Sequence, residues 1–147
     1  MIIIPDANSV ISALIKKGRA LDLFEWNDFN KEIKFVAPEN LSLEIRRNIS
    51  SILKKSALSE LEITELLDKI ESGIEFIPAS KFEKFLPQAL KVSPPNDFPY
   101  IALALFLKTE GKEPTILSND KDLLKSLSKV NVKGISLHKL LSELSLL

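Results

Sequence analysis

Residues 2–6 read Ile-Ile-Ile-Pro-Asp, and this short segment already indicates what kind of fold the chain adopts. Three β-branched residues that a proline ends are typical of a short strand buried on both faces of a sheet. Similar apolar runs recur along the chain, with helical periods between them. The alternation predicts an α/β fold in which helices cover both faces of a parallel sheet. The predicted strands lie at residues 2–4, 33–36, 74–77, 115–117 and 130–135.

Apolar residues at helical spacing predict the helices. Those at positions 41, 45, 49, 52 and 53 trace one face of a long helix that opens near Pro38. Residues 101–107 are apolar nearly all round, which predicts a buried helix with Pro99 in its first turn.

The composition is that of one soluble globular domain over residues 1–147, with 45% hydrophobic and 27% charged residues. Twenty Lys and Arg balance twenty Asp and Glu. The zero net charge argues against a protein that coats nucleic acid through bulk charge. There is no cysteine and a single histidine, His138, which excludes thiolate and His-rich metal sites. No signal-peptide or membrane-spanning pattern is present, so we expect an intracellular, cytoplasmic protein.

Acidic residues follow the predicted strands at the points where the strands end. Asp6 comes directly after the first strand, and Asp120 and Asp122 follow the fourth. Asp97 precedes the buried helix, and Glu44 lies about two turns into the helix after the second strand. Ligands of doubly wound sheets bind outside the carboxyl ends of the strands. We therefore expect these acids to gather at one edge of the sheet.

A cluster of like charges is rarely kept without a cation, because the carboxylates raise one another's pKa values. Oxygen ligands without cysteine or clustered histidine select hard ions such as Mg²⁺ or Mn²⁺, which suit phosphoryl chemistry. Each acid also has an ordinary structural interpretation. Asp97 and Asp120 are well placed to cap helices, and Glu44 to lie on a solvated helix surface.

Four short motifs, in this order and spacing, resemble the PIN-domain family, nucleases that include the VapC toxins of toxin–antitoxin pairs. They lie at residues 3–10, 43–45, 97–104 and 116–123. The last two are the most telling, because the family has an acid before an Ile-Ala-x-Ala helix and then Thr/Ser-x-Asp after a strand. Ala7 departs from the pattern, since many members carry Thr or Ser there.

The resemblance covers nearly the whole chain and implies a three-layer α/β/α sandwich with a parallel five-stranded sheet. It implies a ribonuclease that cuts single-stranded RNA with Mg²⁺ or Mn²⁺, a homodimer and, for a toxin, an antitoxin partner. The site residues that it implies are the quartet Asp6, Glu44, Asp97 and Asp120, with Asp122 as an extra acid and Asn8 and Ser118 as orienting residues. In our hypothesis Asp6, Asp97 and Asp120 share one ion, while Glu44 holds a second ion or orients water.

Basic residues close in sequence to these acids are candidates for contacts with RNA phosphates. A solvated helix face is an equally ordinary explanation for each of them. Tyr100 and Trp26 are candidates for stacking on bases, although the spacing of Trp26 favours the core. The candidate phosphate-binding residues are Lys16, Lys17, Arg19, Arg46, Arg47 and Lys121.

Two other functions stay open at this point. A phosphatase of the haloacid dehalogenase type also places an Asp after its first strand, but it carries a second Asp where this chain has Asn8. A non-catalytic module that binds RNA or protein on the same fold is the other alternative, and Mn²⁺ binding would distinguish it. The sequence does not decide whether an antitoxin exists or which RNA is cut.

Overall fold

The computed structural model describes residues 1–16 and 18–147. Within these residues the strands are β1 (Ile2–Pro5), β2 (Lys34–Pro38), β3 (Ile74–Ile77), β4 (Pro114–Leu117) and β5 (Lys133–Ile135). They form one parallel sheet in the order β3-β2-β1-β4-β5. The five strands predicted from the apolar runs are therefore confirmed, with β1 at the centre.

Helices fill the connections between these strands. The chain runs from β1 through α1 (Ala7–Lys16) and α2 (Arg19–Asn30), and from β2 through α3 (Asn40–Arg47), α4 (Ile49–Lys55) and α5 (Glu60–Ser72). After β3 come α6 (Ala79–Phe82), a 3-10 turn (Glu83–Phe85), α7 (Leu86–Val92) and α8 (Phe98–Thr109). After β4 come α9 (Lys121–Leu127) and a second 3-10 turn (Ser128–Val130), and α10 (Leu137–Glu143) follows β5.

Right-handed crossovers place these helices in two layers. The chain moves from β1 outward to β3, so α1 to α5 lie on one face of the sheet, where α1 packs against the other four. It then crosses to β4, so α6 to α8 lie on the opposite face, where α8 packs against β2 and β4. The result is the three-layer α/β/α sandwich that the sequence predicts.

The centre of the sheet and α8 form the middle of the core. Ile3 and Ile4 are fully buried in β1, and Pro5 ends that strand in register with Leu117. Helix α8 is buried from residue 100 to residue 105, with Pro99 in its first turn, which confirms the predicted buried helix. None of the described helices is long and apolar enough to cross a membrane.

The long helix predicted over positions 41–53 is wrong, because α3 and α4 are separated at Asn48. The Asn48 side-chain amide donates to the Glu44 carbonyl at 2.8 Å, which is the acceptor that a continuous helix would give to the backbone N–H of residue 48. That backbone N–H donates instead to the Ile45 carbonyl at 3.0 Å. Asparagine competes with the helix in this way, and the break falls one turn after Glu44.

Candidate active site

Asp6 and Ser118 lie side by side at the carboxyl ends of β1 and β4. The Asp6 N–H donates to the Leu117 carbonyl at 3.1 Å, which extends the pairing of the two strands by one residue. The Ser118 hydroxyl donates to Asp6 Oδ2 at 2.5 Å, and both residues are buried. The strand order reverses between β1 and β4, so these residues line the crevice in which doubly wound sheets bind ligands.

The Asp6 carboxylate is held by hydrogen bonds on both of its oxygens. Oδ1 accepts from the Ser9 N–H at 2.9 Å and from the Ser9 hydroxyl at 2.6 Å. The backbone N–H bond is the geometry of a helix cap, so Asp6 closes the start of α1. A carboxylate has about four lone-pair positions, so three hydrogen bonds fix its orientation and still leave an electron pair for a cation. Asp6 is only 4% exposed and therefore has little freedom to turn away.

Asp120 combines the capping role with a position at the same crevice. Its Oδ1 accepts from the N–H groups of Asp122 at 2.9 Å and Leu123 at 3.3 Å, so the capping interpretation is right for this oxygen. Its Oδ2 accepts no hydrogen bond from the described residues. The Asp120 N–H donates to the Ser118 hydroxyl at 3.0 Å, which connects Asp120 to Asp6 through Ser118. Asp122 is exposed in the first turn of α9.

Asp97 precedes α8 without capping it. Among the residues that the structure describes, none donates a hydrogen bond to its carboxylate. Partial burial, followed by the charges of Asp120, Asp6 and Glu44, raises the pKa of Asp97 from 3.8 to about 6. The other three acids of the quartet thus act together on Asp97, which places the four carboxylates in one region of the molecule.

Glu44 reaches this region from α3 and is held by a buried phenol. The Tyr100 hydroxyl donates to Glu44 Oε2 at 3.0 Å and accepts from the Ala7 N–H at 3.2 Å. Burial and the Glu44 charge raise the pKa of Tyr100 far above its usual value, so the phenol remains a neutral donor. Tyr100 is 1% exposed, so the expectation that it stacks on bases is wrong. Trp26 packs against the core, as its spacing favours.

The donor set fits a hard divalent ion, because the quartet offers carboxylate oxygens only and the Asp97 carboxylate accepts no hydrogen bond from the described residues. The same residues do not form a ready-made chelate. In the described parts of the chain, no group of three or more His, Cys, Asp or Glu side chains is in position to hold a metal ion together. Like charges repel one another, so drawing three carboxylates onto one point requires the attraction of the cation itself.

The predicted orienting residues and cations are placed unevenly around these acids. Asn8 is exposed on α1 and lines a groove with Glu44, whereas Ser118 contacts Asp6 directly. Arg46 pairs with Glu71 at 2.6 Å and with Asp68 at 3.4 Å, which directs its guanidinium toward α5.

The remaining cations divide between the site and the rest of the surface. Arg19 donates to the Leu146 carbonyl at 3.1 Å and lies within 4.0 Å of Asp22. Lys16 is the last residue of α1, whereas Asp6 precedes the first, and Lys17 lies outside the described residues. Arg47 and Lys121 are exposed, with Arg47 three residues after Glu44 and Lys121 directly after Asp120.

Two open grooves meet at Glu44. One is lined by Glu44, Arg47, Asn96 and Phe98, together with neighbouring residues of α3 and α8. The other runs along α1 and α4, and its lining includes both Glu44 and Lys55. Each groove is therefore lined by a cation, Arg47 or Lys55, and the two grooves share Glu44.

Sequence reasoning missed the contacts of Ser9 and Tyr100. Ser9 lies three residues after Asp6, the spacing at which a capped residue meets its cap, so a local signal existed. Tyr100 is the single polar side chain in the apolar run of α8, and it lies three residues after Asp97. That spacing puts both residues on one side of the helix, but nothing local identifies Glu44 as the partner.

A comparison with protein families matches residues 4–139 of this chain to the PIN domain. The chain therefore belongs to the PIN-domain family, whose members are generally nucleases that use divalent metal ions. This membership favours the predicted nuclease class over the haloacid dehalogenase alternative.

Two solved structures share the fold. The crystal structure of VapBC2 from Rickettsia felis, bound to a DNA fragment from their promoter, superposes with a TM-score of 0.59 at 15% identity and covers 92% of this chain and 98% of that chain. PAE2754 from Pyrobaculum aerophilum gives a TM-score of 0.64 at 15% identity, with 99% and 98% of the two chains covered. A comparison with curated proteins gives no match.

Proposed function

We propose that this chain is a divalent-metal-dependent endoribonuclease that hydrolyses phosphodiester bonds of single-stranded RNA. The observation that carries the proposal is Asp97, whose carboxylate lacks a hydrogen-bond donor among the described residues and faces the charges of three other acids. A titratable group kept in a crevice at such an electrostatic cost is typical of functional sites. Membership in a family of nucleases supports the same activity.

In this proposal Asp6, Asp97 and Asp120 hold one Mg²⁺ or Mn²⁺, and Glu44 holds a second ion or orients water. A bound divalent ion supplies Lewis-acid chemistry that polarises a phosphoryl oxygen and favours attack by water. The chain contributes orientation, since Ser9 and Ser118 fix the Asp6 carboxylate on both of its oxygens. Asp122 stays a candidate ligand at the exposed end of the cluster.

The two grooves that meet at Glu44 suit an extended single strand better than a compact ligand. Phosphates on either side of the cleaved bond would face Arg47 in one groove and Lys55 in the other, while Lys121 lies beside Asp120. Lys55 was not among the predicted cations, and we include it because it lines the groove along α1 that also contains Glu44. Local cations of this kind attract an anionic strand although the net charge of the chain is zero.

The test is cleavage of an end-labelled single-stranded RNA with Mn²⁺, compared among the wild type, Asp97→Asn and Asp22→Asn. Asp22 is an exposed acid on α2, so its variant controls for the loss of one negative charge. We expect cleavage by the wild type and Asp22→Asn, none by Asp97→Asn, and none after chelation of the metal. Equal cleavage by the wild type and Asp97→Asn would reject the assignment.

The toxin role, an antitoxin partner and a homodimer belong to the same proposal. The solved neighbour from Rickettsia felis is a VapBC2 assembly, which makes a protein antitoxin the partner to test. We expect induced expression of the wild type to arrest growth of a bacterial host and expression of Asp97→Asn to leave growth unchanged. Light scattering of the purified chain tests the dimer, which should have twice the 16.5 kDa mass of the chain.

A non-catalytic RNA- or protein-binding module is the second candidate. The observation that favours it is that no three acids of the described residues stand ready to hold one ion. Calorimetry with Mn²⁺ separates the two functions. Heat of binding that Asp97→Asn abolishes supports the nuclease, and RNA binding without any response to Mn²⁺ supports the module.

A further inference from the structure

Two hydroxyl groups link the acids of the site in the same way. The Ser118 hydroxyl accepts from the Asp120 N–H and donates to Asp6 Oδ2. The Tyr100 hydroxyl accepts from the Ala7 N–H, next to Asp6, and donates to Glu44 Oε2. The two links form a continuous path from Asp120 through Asp6 to Glu44.

The direction of the Tyr100 hydrogen bond is fixed by the group that Tyr100 accepts from. Ala7 is the first residue of α1, and its N–H is one of the donors that a helix start leaves without an intrahelical partner. Because this N–H points at the phenol oxygen, the oxygen acts as acceptor there and its one hydrogen is free for Glu44. A bond from a hydroxyl to a carboxylate is charge-assisted and therefore stronger than a neutral one.

The helix that carries this donor begins directly after Asp97. The Tyr100 N–H donates to the Asp97 carbonyl at 3.2 Å in the first turn of α8, which connects the backbones of the two residues. The Tyr100 ring is enclosed by the core and is 1% exposed, so its hydroxyl has a fixed position. Glu44, in contrast, is partly exposed on α3, which ends one turn later at Asn48.

We propose that Tyr100 is a positioning residue, which holds the Glu44 carboxylate at the acid cluster and couples it to the start of α1. The inference rests on the proposed function, because it assigns to Glu44 an orientation that matters for metal binding. Without the phenol hydroxyl, Glu44 is a flexible side chain at the rim of two grooves. In the wild type, Tyr100 acts through Glu44 and contacts neither the ion nor RNA.

The first experiment measures Mn²⁺ binding to Tyr100→Phe by calorimetry and RNA cleavage as a function of Mn²⁺ concentration. We expect about tenfold weaker Mn²⁺ binding, the usual effect of losing a partner that orients a metal ligand. Cleavage should recover at high Mn²⁺, with the KM for RNA unchanged. Glu44→Gln should not recover, because it lacks the carboxylate itself.

Ser126→Ala is the matched control, since Ser126 is a buried residue whose hydroxyl donates to the Leu123 carbonyl at 2.7 Å. Its thermal unfolding shows what the loss of one buried hydroxyl costs, and its Mn²⁺ affinity should equal that of the wild type. If Tyr100→Phe binds Mn²⁺ as tightly as Ser126→Ala does, the proposal is overturned while the proposed function stands. If the wild type binds no Mn²⁺, the proposed function fails first.

A second measurement needs no substitution at Tyr100. The chain contains one tyrosine, so growth with 3-fluorotyrosine labels this position alone for fluorine NMR. We expect Mg²⁺ to shift the single resonance of the wild type and to leave that of Glu44→Gln unchanged. If Mg²⁺ leaves the chemical shift of the wild-type resonance unchanged, although calorimetry shows that the wild type binds the ion, the coupling between Tyr100 and Glu44 is contradicted.

Discussion

The carboxyl edge of the sheet carries acids at two places, and the fold uses them differently. At the ends of β2 and β3, Glu39 Oε1 accepts from the Ala79 N–H at 3.1 Å and so closes the start of α6. At the ends of β1 and β4, Asp6 and Asp120 act as caps and also surround Asp97, which has no donor among the described residues.

Strand order explains the difference. Strands β2 and β3 are consecutive in the chain and adjacent in the sheet, and α6 begins two residues after β3 ends. Between β1 and β4 the order reverses, so the connecting helices leave toward opposite faces and a crevice opens between them. An acid after a strand thus becomes a candidate ligand as well as a cap where the order reverses, and a cap alone where it does not.

The largest expected effect contrasts Asp6→Asn with Glu39→Gln in RNA cleavage. Asp6→Asn should lose at least about a hundredfold in activity, more than the loss of an orienting partner causes, because it removes a charged ligand. Glu39→Gln should stay within about twofold, since the amide oxygen still accepts from Ala79. Steady-state kinetics at fixed Mn²⁺ measures both, and a comparable loss in Glu39→Gln would break the comparison.

Ser118→Ala should have the next largest effect. It removes the donor to Asp6 Oδ2 and the acceptor of the Asp120 N–H. We expect about tenfold weaker Mn²⁺ binding by calorimetry, with the fold retained by circular dichroism. Unchanged binding would show that Ser9 alone orients Asp6.

Asp97→Asn should stabilise the protein above pH 6 in the absence of divalent ions. The folded state binds its proton more tightly than the unfolded state, with a pKa of about 6 against 3.8. Stability of the wild type therefore falls as pH rises from about 4 to about 6, and the penalty is fully present above that range. Because Asp97 is partly exposed, screening reduces the expected gain to about 1 kcal/mol.

Urea unfolding of the wild type and Asp97→Asn at pH 4 and pH 7.5 measures this difference. The two proteins should differ at pH 7.5 and approach each other at pH 4. A wild type that loses stability relative to Asp97→Asn as the pH falls would contradict the repulsion among the four acids.

The smallest expected effect is that of the capping contacts themselves. Glu39→Ala should cost about 1 kcal/mol of stability, since it removes an acceptor at a helix start. Asp120→Ala should cost less, because the lost cap is partly offset by relief of the repulsion between Asp120 and Asp97. Only Asp120→Ala should also weaken Mn²⁺ binding. Denaturant unfolding measures the stability of both variants, and calorimetry measures their Mn²⁺ binding. Weaker Mn²⁺ binding by Glu39→Ala would contradict a purely structural role for Glu39.

Much of the fold follows from local patterns in the sequence. A run such as residues 2–4, ended by Pro5, reads as a buried strand without knowledge of its neighbours, and the structure confirms it. The break at Asn48 could not be predicted in this way. An asparagine in a helical period is compatible with a continuous or a broken helix, and the hydrogen bond of its side chain decides between them.

The candidate site divides in a similar way. The acids could be proposed from their positions after strands and at the start of α8. Their surroundings could not, because the partners are far away in the chain. Arg46 lies close to Glu44 in sequence but pairs with Glu71 on α5, whereas Lys55, eleven residues after Glu44, lines a groove with it.

The strands, the parallel α/β architecture and the acids near the carboxyl edge can be predicted from the sequence, because short-range periodicity and proline positions set these features. The role of each acid there depends on the folded structure. Glu39 caps α6 through Ala79, Asp97 has no donor among the described residues, and Glu44 is joined to Tyr100 across 56 residues. Hydrogen bonds between distant segments have no local signature, since they depend on the three-dimensional position of a single donor atom.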